Sequence, residues 1–116
     1  MATASASGER RKGYMQPSEL LQRIQSNSAP VIVDPRSTVE FKGGHIPGAI
    51  NAPIGKLLLY MVAMPKDRNQ EMVIACMHGQ RAWLAKKLLA LRGYRNTALL
   101  DGYVQEWIRA GLPVEK

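Results

Sequence analysis

The sequence predicts an α/β fold, a central parallel β-sheet flanked by α-helices, and three observations carry the prediction. Short apolar runs recur at residues 31–33 and 72–75, as in strands covered on both faces. Segments of helical length and spacing separate the runs, which is the rhythm of βαβ units. The chain has 116 residues, 46% of them hydrophobic and 22% charged, enough for one hydrophobic core. Its one cysteine excludes an intramolecular disulfide and gives no sign of an oxidising compartment.

Residues 1–13, rich in Ala, Ser, Thr and Gly, read as a disordered tail ahead of a single domain over residues 14–116. They lack an apolar core, and no apolar run follows Arg10 and Arg11, so neither a secretory nor a twin-arginine signal is read there. No stretch reaches the ~18–20 apolar residues of a membrane span, and the cytoplasm is the default location. Ser18 is placed to cap a helix carrying Leu20, Leu21 and Ile24 on one face, with Glu19 in its first turn. Residues 31–33 form a buried strand between Pro30 and Asp34. Four turn-formers, Gly43, Gly44, Pro47 and Gly48, make residues 41–48 mostly loop. A short strand at 49–52 stops at Pro53, and residues 57–64 fit a helix ending before Pro65.

The second half repeats the rhythm. Residues 72–75 form a strand, and Gly79 punctuates a loop. A helix follows over 81–91, with Leu84, Leu88 and Leu91 at helical spacing and Gly93 as its stop. Residues 98–100 form another strand, and 103–110 a helix closed by Gly111.

The formal net charge is +7, of which the tail supplies +2. From Cys76 to Tyr94 the chain carries Arg81, Lys86, Lys87 and Arg92 and no acid. Such a run is first a solvated helix face; attraction of a small anion or an acidic partner protein comes second. No aromatic platform or nucleic-acid-binding motif accompanies it, so nucleic acid is not an expected partner.

Ligands of parallel α/β sheets bind beyond the carboxyl ends of the strands. There the sequence places Cys76, Met77, His78, Gly79, Gln80 and Arg81, between an apolar strand and a helix. Such a loop can turn successive N–H groups inward as an anion nest, with Gly79 permitting a left-handed turn. The helix start and Arg81 add positive potential, and His78 can add more. All of these favour a thiolate: a pKa near 8.5 leaves only about 3% of a thiol ionised at pH 7. The competing reading of Cys76 is an inert small hydrophobe.

With these residues in view, the sequence resembles the rhodanese domain from Tyr14 to Glu115. The matching pieces are residues 31–36 ending in Asp34, Pro35 and Arg36; Glu40 and Phe41; and Gly44-His45-Ile46-Pro47-Gly48-Ala49-Ile50-Asn51. They continue with Cys76, Gly79, Arg81 and Ala82, then Leu100 and Gly102, then Trp107, Ala110, Gly111, Pro113 and Val114. The resemblance implies a sulfurtransferase. The loop cysteine, here Cys76, would take the outer sulfur of a small anionic donor such as thiosulfate as a persulfide. It would pass that sulfur to cyanide or a thiol. The amides of Met77, His78, Gly79, Gln80 and Arg81 would cradle the anions, with no metal or organic cofactor required. The alternative is a relay or docking module working with an acidic sulfur-carrier protein and turning over thiosulfate poorly. Related phosphatases have a loop one residue longer than the four residues between Cys76 and Arg81, so the shorter ring suits a single sulfur.

Other residues are expected to serve structure. Asp34 and Arg36 read as an ion pair or turn-fixing group, and His45 as a hydrogen-bonding loop anchor. Trp107 reads as core. Two positions depart from the family pattern: Pro35 stands in place of a small aliphatic residue, and Tyr103 in place of a second glycine at the cavity mouth. A ring at 103 would narrow the entrance or change donor preference.

Overall fold

A computed structural model describes residues 13–77 and 79–116. The expected disordered tail falls almost wholly on residues 1–12, outside the described residues, as does His78 of the loop. Five parallel strands form one sheet: β1 (Tyr14–Met15), β2 (Val31–Asp34), β3 (Ile50–Asn51), β4 (Met72–Ile74) and β5 (Thr97–Leu100), in the order β1-β5-β4-β2-β3. The helices are α1 (Pro17–Gln25), α2 (Thr38–Lys42), α3 (Ile54–Leu58), α4 (Gly79–Leu91) and α5 (Tyr103–Arg109). The α/β class read from the sequence holds.

The two-residue period of the strands sorts the core into two layers. Ile32, Val73, Ala98 and Leu100 point to one face, where they meet Leu20 of α1 and Val104 and Trp107 of α5. Val33, Met72, Ile74 and Leu99 point to the other, against Leu57 of α3 and Ala82, Ala85 and Leu89 of α4. Cys76 belongs to this second layer. The row that α4 buries is therefore Ala82, Ala85 and Leu89, whereas Leu84 and Leu91 are exposed. Alanine at two of those places lets the helix axis lie close to the sheet, which leucine would prevent.

Four helix ends share one device, a Schellman motif with a left-handed residue just past the cap. Gly93 and Gly111 supply it as the sequence suggests, with φ of 96° and 74°. Asn27 ends α1 in the same way, at φ 58°. At α3 the residue is Tyr60, φ 59°, with Met61 N–H reaching the carbonyl of Lys56 at 2.8 Å. This stop shortens the helix expected at 57–64 to Ile54–Leu58, and leaves Leu58, Leu59, Tyr60 and Met61 exposed. Tyr60 is covered on one side by the guanidinium of Arg92, 4.4 Å from its ring centre.

Smaller differences have local causes. Helix α1 starts at Pro17, with Gln16 rather than Ser18 at its cap. Helix α2 occupies part of the expected loop because Ser37 and Glu40 form a capping box: each side chain bonds the other's backbone N–H. No helix of the described residues is long and apolar enough to cross a membrane.

Candidate active site

Strand β4 ends at Ile74, and the chain reaches Cys76 at the carboxyl edge of the sheet. Cys76 is fully buried, on the face that α4 covers. Its carbonyl accepts the Val104 N–H at 2.8 Å, so the start of α5 is fastened to the cysteine residue itself. Met77 turns the other way, against the opposite core layer. Gly79 opens α4, Gln80 is exposed, and Arg81 lies in the first turn, half-buried.

Arg81 is held by a residue that sequence reading left without a role. Its guanidinium meets the Glu40 carboxylate in a two-point contact, Nη1 to Oε1 at 2.5 Å and Nη2 to Oε2 at 3.0 Å. This pair joins α2 to α4 across 41 residues of sequence. The guanidinium beside it lowers Glu40 to about 2, and the carboxylate in turn raises Arg81, with the charge of Cys76 adding to the rise. The Ser37–Glu40 spacing of a capping box was the available signal for Glu40, but its second partner lay too far along the chain to be read locally.

Gly79 does not supply the left-handed turn that the sequence suggests for it; it is the first residue of a right-handed helix. Its missing side chain makes room for Tyr103, since a Cβ there would stand 2.9 Å from the phenol oxygen. The left-handed backbone lies instead at Gly102 (φ 77°) and at Tyr103 itself (φ 57°). For tyrosine this costs about 1–2 kcal/mol, and it aims the ring across the beginning of the loop helix.

Asp34 and Arg36 form the expected structural pair, only 1% and 2% exposed. Arg36 Nη2 bonds Asp34 Oδ2 at 2.9 Å and the Gly44 carbonyl at 2.7 Å, while Arg36 N–H bonds Asp34 Oδ1 at 3.0 Å. Asn51 Nδ2 then donates to the carbonyls of Asp34 and Arg36. His45 anchors its loop as expected: Nδ1–H donates to the Phe41 carbonyl at 2.8 Å, and the ring stacks on Phe41 at 3.6 Å. Trp107 is core, its indole N–H bonded to the Pro113 carbonyl. The basic run is largely engaged within the molecule: Lys86 Nζ donates to Thr97, Lys87 lies over Trp83, and Arg92 over Tyr60.

In this parallel sheet a buried cysteine follows the central strand and precedes a helix carrying a clamped arginine. The rhodanese-like domain family matches residues 16–110, and the chain belongs to that sulfurtransferase family. A sulfurtransferase of Allochromatium vinosum is 35% identical over 95 residues, covering 82% of this chain and 87% of the relative. A thiosulfate:glutathione sulfurtransferase of Saccharomyces cerevisiae is 30% identical over 106 residues, covering 80% and 76%. A solved structure of a human single-domain sulfurtransferase superposes with a TM-score of 0.71 at 27% identity, covering 84% of this chain and 96% of that one. Five other curated relatives are longer, and the chain spans 42–64% of their lengths.

Proposed function

We propose that the protein takes the outer sulfur of an anionic donor such as thiosulfate onto Cys76 and passes it to a thiophilic acceptor, cyanide or a thiol. The Cys76 thiolate attacks the outer sulfur, the S–S bond of thiosulfate breaks, and sulfite leaves with the electron pair. The acceptor then attacks the same sulfur, and Cys76 departs as thiolate. Net charge is conserved in each step, and no metal or organic cofactor takes part. The carrying observation is Cys76 itself: fully buried two residues past the end of β4, ahead of the helix whose first turn carries the clamped Arg81. In this reading the amides from Met77 to Arg81 hold the thiolate, donor and persulfide in turn.

Intact-protein mass after thiosulfate, and again after cyanide, tests the cycle. The expected result is a gain of one sulfur, lost on cyanide and absent in Cys76→Ser, whose hydroxyl is a poor nucleophile at neutral pH. A Cys76→Ser protein that still transfers sulfur would remove the mechanism. A second reading, a relay that loads from and unloads to an acidic carrier protein, is favoured by the run of four exposed apolar residues Leu58 to Met61, a surface a protein partner can cover. It is distinguished by loading from a protein persulfide in the absence of loading from thiosulfate.

A further inference from the structure

Beside the loop opens a cavity of about 470 Å³, lined by Tyr14, Gly79, Gln80, Trp83, Leu99 and Tyr103. Gly79 and Tyr103 belong both to this cavity and to the wall of the cysteine loop. Neither cyanide nor a single outer sulfur needs such a space, which falls in the range of sites for organic molecules (~300–1,000 Å³). Among the described residues its walls are three aromatic rings, Leu99, Gly79 and Gln80, none of them acidic. One cation adjoins a wall: Lys87 Nζ lies 5.1 Å from the centre of the Trp83 ring. Trp83 is 56% exposed, so a planar ligand can reach its ring.

We infer that this cavity is the acceptor subsite, built for a small organic thiol with an aromatic or apolar body and a carboxylate. The inference rests on the proposed sulfur transfer and specifies its acceptor. The body lies between Trp83 and Tyr103, the carboxylate faces Lys87, and the sulfur is directed past Tyr103 toward the loop. The thiolate attacks the outer sulfur of the persulfide, the bond to Cys76 breaks, and the products are an organic persulfide anion and the Cys76 thiolate. Tyr103 is then the specificity-determining residue, because its ring lies against Gly79 where the cavity borders the loop.

Two measurements on the full chain test this. Calorimetric binding of 4-(methylthio)benzoate, a thioether that cannot accept sulfur, requires no turnover. Saturable binding, weakened at least tenfold in Trp83→Ala and severalfold in Lys87→Gln, is the expected result. No binding, or binding that both substitutions leave unchanged, overturns the subsite. In the second measurement, persulfide-loaded protein is unloaded with 4-mercaptobenzoate, 2-mercaptoethanol or cyanide. The aromatic acid should half-saturate at a concentration at least tenfold below 2-mercaptoethanol, and Trp83→Ala should erase that preference. Equal preference in wild type and Trp83→Ala overturns the inference while leaving sulfur transfer intact. Failure to load with any sulfur donor would instead strike the transfer reading, and the thioether would still decide whether the cavity binds aromatic carboxylates.

Discussion

Two carboxylate–guanidinium pairs flank the cysteine loop, and they are opposite in construction. Asp34 and Arg36 are two residues apart, almost wholly buried, and satisfied by Gly44 and by their own backbone. Glu40 and Arg81 are 41 residues apart, with each side chain about a third exposed (36%). A buried pair loses much when one partner is removed, because the other is left charged without solvent; a half-exposed pair loses little, because water takes its place. The same chemistry therefore serves as a frame in one place and as an adjustable support for a reacting loop in the other.

The largest effect should come from breaking the frame. Arg36→Ala is expected to cost about 3–5 kcal/mol in urea unfolding, since Asp34 would remain buried alone. A loss under about 1 kcal/mol would show that the two pairs do not differ as described. Arg81→Ala should reverse the pattern: stability falls by about 1 kcal/mol or less, while persulfide formation slows on the order of a hundredfold through loss of anion stabilisation. Rapid mixing with thiosulfate measures it, and an unchanged rate would reduce Arg81 to a tether.

A smaller effect separates the clamp from the ring that supports the loop on its other side. Gly79→Ala should slow transfer severalfold, because the new Cβ meets the Tyr103 phenol. Adding Tyr103→Phe should restore part of the rate, whereas changes at Glu40 should not. The smallest effect is on the pH dependence of stability. Glu40 is held below its ordinary value of 4.5, at about 2, so its contribution is present above pH 4.5 and is lost as pH falls toward 2. With solvent screening that contribution is about 0.5 kcal/mol. The stability difference between wild type and Glu40→Gln should narrow over that range.

What could be read in advance follows from the distance over which each feature is encoded. The apolar runs of β2, β4 and β5 and the glycine stops at 93 and 111 are local signals, and they were legible. Asp34 and Arg36 were legible as a pair because they are near neighbours in sequence. Strand β1 has two residues, too few to show alternation. The apolar run 57–64 fits a helix by composition; only the left-handed turn at Tyr60, unusual for a tyrosine, ends it early. The Glu40–Arg81 clamp and the Tyr103–Gly79 contact join distant segments, so no local spacing reveals them. Gly79 was correctly singled out, but it answers a neighbour's side chain rather than its own backbone.

The contrast between the chain's two tryptophans gives the protein a built-in pair of optical reporters. Trp107 is fully buried with its indole N–H bonded, whereas Trp83 stands 56% exposed at the cavity rim beside Lys87. Iodide, drawn to that cation, should quench the red-shifted emission of Trp83 and spare the blue-shifted emission of Trp107. One fluorescence spectrum would then follow occupancy at the rim and integrity of the core as separate signals, with no label attached.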